Sequence, residues 1–251
     1  MPQRHALLDG RIGFVTGAAR GLGLAIVARL AEAGMRGVGF DREVAKLPSG
    51  WQAVQGDVTD EASLAAAIDG LSARHGRLDL VVANAGVVPP WRETEAIGLA
   101  EWDAVFAVNV RGVVATIKHV VPAMKARGGA IVAMASINAW RGHPRQCLYV
   151  ASKHAVLGIV RSAAADLGRH GIRVNAVAPG PIATAALLGR VRERAATGGP
   201  TVETALERYA GETALGRMAT EDDVANAVLF LASDLSAGIT GTITPIECGL
   251  P

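Results

Sequence analysis

Tyr149 and Lys153 stand four residues apart in CLYVASKHAVLGIV (147–160), a run with helical character, so they share one helix face. Lysine is scarce in this chain: Lys46, Lys118, Lys125 and Lys153 are all there are. A phenol titrates near ~10 and is a weak base at neutral pH, and a neighbouring ammonium favours the phenolate. Bringing a phenol to ~7 takes roughly 4 kcal/mol of differential stabilisation. A phenol so tuned exchanges a proton with an alcohol or ketone while a cofactor takes or gives hydride. By itself the pair is a weak signal, because a lysine on a helix face usually extends its ammonium to water.

Other residues strengthen it. Ser136 ends the apolar run GAIVAMAS, where a hydroxyl meets ligands at the carboxyl edge of an open α/β sheet. Asn109 interrupts the apolar run FAVNVRGVV, and a mid-helix asparagine is unfavourable unless it bonds a backbone group or a water. TGAARGLG (16–23) carries Gly17, Gly21 and Gly23, with Arg20 and Leu22 between them, after a predicted strand and before a predicted helix. Such glycines permit a tight turn and close approach of a pyrophosphate to the free N–H groups of a helix start. Asp41 ends the next predicted strand, where a carboxylate bonds the ribose hydroxyls of a bound dinucleotide. A 2′-phosphate there meets a like charge, at a cost on the order of 1–4 kcal/mol at ~4 Å, which favours NAD over NADP. Arg20 and Arg42 act in the opposite sense, since either guanidinium neutralises a phosphate.

The elements that must position these groups alternate. Strands are predicted at 11–17, 37–41, 51–58, 78–86, 129–136, 172–180 and 241–247. Helices are predicted at 22–34, 59–76, 147–170 and 221–234, with Thr59 or Asp60 capping the second and Gly34 closing the first, and about 99–127 reads as one long or broken helical stretch. The segment 183–218 reads as irregular, with helical pieces around TALERYAG. Apolar strands alternating with helices imply an α/β, doubly wound, mostly parallel seven-stranded sheet, Rossmann-like, with helices on both faces. With no linker or repeat, residues 1–251 read as a single domain, and about 183–218 as its substrate-binding segment.

Composition sets limits. Half of the 251 residues are hydrophobic, 19% are charged and the net charge is +2, with the signs interspersed. There is no basic stripe for nucleic acid. MPQRHALLDG lacks the apolar core of a secretory signal, and no uninterrupted apolar run reaches the ~18 residues of a membrane span. A cytoplasmic protein is expected. Cys147 and Cys248 read as free thiols, with a disulfide between them as the alternative. No metal-ligand spacing is present.

Taken together, the motifs resemble the short-chain dehydrogenase/reductase family in its compact single-domain branch. The likeness runs from TGAARGLG through GDV (56–58), NAG (84–86), Asn109, Ser136, YVASK (149–153) and PGPIAT (179–184) to ITGTITPIE. It implies Tyr149 as general acid/base and Lys153 as a further contact to the nicotinamide ribose. It implies Ser136 orienting the substrate oxygen and Asn109 holding a water in a proton relay. Asp57 and Val58 would flank the adenine. Asn84, Ala85 and Gly86 would line the cofactor cleft with Pro179 and Gly180, and Ile182 and Thr184 would meet the carboxamide. An acid at Asp41 accompanies NAD use in this family, and a homotetramer is the common assembly. Ala83 and the ending IECGLP depart from the family pattern. The three-residue gap between Tyr149 and Lys153 argues against the enoyl-reductase branch.

Beside Ser136 and Tyr149, the expected substrate walls are Trp91, Asn138, Trp140, His143, Gln146, Leu187 and Leu188, a mix that suits a moderately apolar secondary alcohol or ketone. Arg92, Arg141, Arg145 and Arg190 read as exposed side chains, and none stands out as a carboxylate anchor. The expected activity is hydride transfer between NAD(H) and such an alcohol or ketone. An NADPH-dependent 3-ketoacyl reductase is the alternative, and a catalytically silent dinucleotide sensor a remote one.

Overall fold

The structure is a computed structural model and describes residues 7–250, so most of the reading of the first ten residues lies outside it. All seven strands run parallel, in the order β3-β2-β1-β4-β5-β6-β7. They are β1 (Ile12–Thr16), β2 (Arg36–Asp41), β3 (Trp51–Gln55), β4 (Leu80–Ala83), β5 (Gly129–Met134), β6 (Ile172–Pro179) and β7 (Ile243–Ile246). The helices are α1 (Gly21–Glu32), α2 (Glu61–His75), α3 (Leu99–Phe106), α4 (Gly112–Met124), α5 (Cys147–Leu167), α6 (Ala185–Ala196), α7 (Val202–Gly211) and α8 (Glu221–Ala232).

Alternation of side chains along each strand divides the core into two layers. Val38, Phe14, Val81, Ile131 and Val174 are register partners and form one row across β2, β1, β4, β5 and β6. They pack against Leu64 and Ile68 of α2, Val120 of α4, and Val156 and Val160 of α5. One residue further on, Val15, Val82 and Val132 form the row on the opposite face, against Ile26 and Leu30 of α1 and Val224 and Val228 of α8. Asp60 caps α2 by accepting from Ala62 and Ser63 N–H, and Gly34, at φ 89°, follows the C-terminus of α1.

One reading changes and one is borne out. The segment 183–218 is largely regular, because Thr184 and Thr201 each cap a helix, α6 and α7. The tail after β7 pins it: Gly249 and Cys248 carbonyls accept from Ala214 and Leu215 N–H, at 2.9 and 3.1 Å. Second, Leu99–Met124 is a continuous 26-residue helical run, long and apolar enough by length and composition to cross a membrane. Here it is a core element: Val113, Ile117, Val120 and Met124 are buried in the layer against the sheet. Lys118 and His119 turn outward onto Glu61 at the start of α2, at 2.6 and 2.8 Å. Both cysteines are free.

β1 and β2 approach closely because Gly37 has no side chain: a Cβ there would lie 1.9 Å from the Gly13 carbonyl oxygen. Gly37→Ala is expected to destabilise the fold by about 1–3 kcal/mol, read in urea melts. A loss below about 0.5 kcal/mol would show that the strands adjust freely.

Candidate active site

The loops after β1, β4, β5 and β6 open on one edge of the sheet, around a cleft of about 720 Å³. At one end lies the glycine turn. Gly17 and Gly21 have φ 67° and 53°, and a Cβ on Gly23 would meet the Gly17 carbonyl oxygen at 1.9 Å. Asn84 holds this turn against β4, donating through Nδ2 to the Thr16 and Gly17 carbonyls at 3.0 Å each. α1 starts there with no side-chain cap and no acid in its first turn. Its free N–H groups and positive dipole end suit a pyrophosphate.

Next along the cleft, Asp41 Oδ2 accepts from Ala19 N–H at 2.9 Å and Oδ1 from Glu43 N–H at 3.2 Å. The two arginines beside it face acids: Arg20 pairs with Glu43 at 3.2 Å, and Arg42 lies 4.0 Å from Asp57. Asp57 Oδ1 accepts from both the N–H and the hydroxyl of Thr59. Leu22, Val58, Asn84, Ala85, Gly86, Pro179, Gly180, Ile182 and Thr184 all line the same cleft. The residues singled out for a dinucleotide thus come together, and their chemistry fits one.

At the other end stand Ser136, Tyr149 and Lys153. Ser136 follows β5, caps a short 3-10 turn by accepting from Asn138 N–H at 3.2 Å, and its hydroxyl acts on the Tyr149 phenol in the sense that favours the phenolate. Lys153 is buried rather than extended to water, and its Nζ donates to the Met134 carbonyl at 2.8 Å. The same nitrogen lies 5.7 Å from the Tyr149 ring centre. Asn109 sits in a π-helical turn, Ala107–Arg111, and bonds a backbone group. Its Oδ1 accepts from Val87 N–H at 2.8 Å, and its Nδ2 donates to the Val87 carbonyl and to Ser152 Oγ. Both amide hydrogens are engaged, which leaves a lone pair on Oδ1 for a water.

Trp91, Asn138, His143, Gln146 and Leu187 line the substrate end as expected. Asn138 Nδ2 donates to Gln146 Oε1 at 2.8 Å, and the Trp91 and His143 rings lie 6.0 Å apart. Leu188 and Trp140 do not line it: Leu188 is turned about 100° from Leu187 around α6, and Trp140 is 39% exposed. Arg190 corrects the reading of an exposed arginine, since it is half-buried and lines the cleft, as does Tyr209 of α7. Helical spacing was the missing signal: Leu187 and Arg190 are three apart and share a face only once α6 is recognised.

Electrostatics differ from the simple picture of a lysine tuning a tyrosine. Burial pushes the Tyr149 phenol up, opposed by the Ser136 hydrogen bond and the Arg190 charge. Burial likewise brings the Lys153 ammonium down to about 8 from its ordinary 10.5. Between those two values the unfolded chain binds more protons than the folded one, so this group's contribution to stability rises with pH. Unfolding free energies of wild type and Lys153→Met from about pH 8 to 10 test this. The wild type should gain on the variant across the window, and a constant difference would place the ammonium in water.

Comparison with known proteins agrees with this geometry. Residues 17–251 match the family model described as Enoyl-(Acyl carrier protein) reductase. A 3-oxoacyl-(acyl-carrier-protein) reductase of Thermotoga maritima is 36% identical, covering 97% of this chain and 98% of its own. The cis-4-hydroxycyclohexanecarboxylate dehydrogenase of Sinomonas cyclohexanicum is 37% identical, over 95% and 96%. Among solved structures, carveol dehydrogenase from Mycobacterium avium in complex with NAD superposes with a TM-score of 0.90 at 31% identity, covering 97% of this chain and 98% of that one. The chain belongs to the short-chain dehydrogenase/reductase family and is an NAD(P)-dependent oxidoreductase acting on CH–OH groups.

Proposed function

We propose that this protein transfers hydride between NAD(H) and a moderately apolar secondary alcohol or its ketone, with Tyr149 as general acid/base. The observation that carries this reading is the convergence of Ser136, Tyr149 and Lys153 at one end of a cleft whose other end holds the glycine turn and Asp41. The relatives named for carveol and for a hydroxycyclohexanecarboxylate act on secondary carbinols, which supports the same chemistry here.

Bound NAD supplies the hydride acceptor, and its oxidised ring carries a positive charge. Ser136 holds the substrate oxygen beside the phenol. In the oxidative direction the Tyr149 phenolate removes the hydroxyl proton as the carbinol hydrogen leaves as hydride; in reduction the phenol returns that proton. Lys153 is tethered to Met134 and retains N–H donors for the nicotinamide ribose hydroxyls. Residues about 183–218 close the substrate side through α6 and α7.

NAD rather than NADP follows from charge. Asp41, Glu43 and Asp57 cluster at the ribose end, and Arg20 and Arg42 already face two of them. A 2′-phosphate would have to draw an arginine from its acid and tolerate Asp41. The Thermotoga relative supports a second reading, an NADPH-dependent 3-ketoacyl reductase.

Two variants test the assignment with NADH or NADPH and a panel of cyclic and linear ketones. Tyr149→Phe should keep NADH affinity within about twofold and lower kcat by about 10²–10⁴. Near-normal turnover would remove Tyr149 from the proton transfer. Asp41→Asn should raise the NADPH-to-NADH ratio of kcat/KM at least about tenfold. A wild type that prefers NADPH would favour the ketoacyl reductase.

A further inference from the structure

Arg190 differs from the other cations around the cleft. Arg20, Arg42, Arg92 and Arg145 each face a carboxylate, from Glu43, Asp57, Glu101 and Glu93. Arg194 lies over the Trp91 ring at 4.9 Å, and Arg141 donates to the Leu250 carbonyl. Arg190 has no such partner: its Nε is enclosed with no acceptor, and no described residue hydrogen-bonds or ion-pairs with its guanidinium. The groups acting on it through space are the Tyr149 and Tyr209 phenols and Glu193, which is exposed one turn further along α6.

A half-buried guanidinium without a bonded counter-ion is unfavourable, and enclosed charges in proteins are normally paired. The missing partner therefore enters with a ligand. Phosphates of a bound dinucleotide belong at the opposite end of the cleft, at the glycine turn. Arg190 stands at the end that holds Tyr149, Gln146, Leu187 and Tyr209. What arrives there is the substrate, and the planar fork of an arginine matches a carboxylate through two parallel hydrogen bonds.

We infer that Arg190 anchors a carboxylate on the substrate, so that the protein acts on secondary hydroxy acids and the corresponding keto acids. This rests on the dehydrogenase reading and narrows its substrate class. The carbinol sits at Ser136 and Tyr149, the carboxylate at Arg190, and the hydrocarbon between them against Leu187 and Trp91. The carboxylate takes no part in the redox step. The carbinol hydrogen leaves as hydride to the cofactor, the hydroxyl proton passes to Tyr149, and the acid group is unchanged.

The test separates binding from turnover. Cyclohexanecarboxylate, benzoate and 3-hydroxybutanoate, each beside its neutral amide, are titrated calorimetrically into protein saturated with NAD, for wild type, Arg190→Met and Arg190→Lys. At least one acid should bind wild type tenfold or more tighter than its amide. That preference should vanish in Arg190→Met and return in part in Arg190→Lys, with NADH affinity within twofold throughout. No preference for any acid in wild type, or an equal preference in Arg190→Met, would overturn the anchor. A variant that instead loses NADH affinity would assign Arg190 to the cofactor and also overturn it. A second arm measures NADH-dependent reduction of 4-oxocyclohexanecarboxylate, 4-oxopentanoate and their methyl esters. Arg190→Met should lower the acid-to-ester ratio of kcat/KM at least tenfold, and an unchanged ratio would overturn the anchor. No turnover of acids or esters, with the carboxylate preference intact, would contradict the dehydrogenase reading and leave the anion site standing.

Discussion

The hydrogen bond from Lys153 Nζ to the Met134 carbonyl ties α5 to the end of β5. It supplies a buried ammonium with an acceptor that the strand end provides. Because Lys153 and Tyr149 lie one helical turn apart, fixing the ammonium also fixes the height of the phenol above the sheet. Ser136, two residues beyond Met134 on the same chain segment, then meets that phenol. The π-helical turn at Ala107–Arg111 supports the group from the side, where Asn109 clamps the Val87 backbone and reaches Ser152 of α5. Disturbing any one of these bonds would move the phenol relative to the others.

The cleft is polarised along its length. One end has Asp41, Glu43 and Asp57 partly matched by Arg20 and Arg42; the other has the unmatched Arg190. A dinucleotide with free ribose hydroxyls and a substrate with a negative group fit that distribution from opposite ends. The same charge at Arg190 opposes the burial that holds the Tyr149 phenol up. The proposed substrate anchor and the proposed acid/base thus share one electrostatic environment.

Most of the architecture was legible in the sequence because the strands are continuous apolar runs and the helices carry caps, as at Asp60 and Gly34. The dinucleotide end was legible because its function depends on backbone shape, and glycines at 17, 21 and 23 announce that shape. The substrate end was less so. Arg190 and Tyr209, which join the expected Trp91, Asn138, His143, Gln146 and Leu187 there, lie on α6 and α7, whose mixed polar sequences obscure the helical period, and Arg190 becomes meaningful only once Leu187 fixes the inward face. The engagement of Asn109 with Val87, distant in sequence, and the upward displacement of the Tyr149 phenol by burial are tertiary effects that no local pattern encodes.

The proposed role of Tyr149 requires that its phenol, raised by burial in the free protein, become a usable base once the charge of an oxidised cofactor stands beside it. The most direct measurement is ultraviolet difference titration near 295 nm of wild type minus Tyr149→Phe, with and without saturating NAD. The chain has just two tyrosines, Tyr149 and Tyr209, so the subtraction isolates one phenol. The expected result is a phenol that titrates above its ordinary value alone and falls by at least about two pH units with NAD bound. A phenol that titrates at the same pH in both states would contradict it.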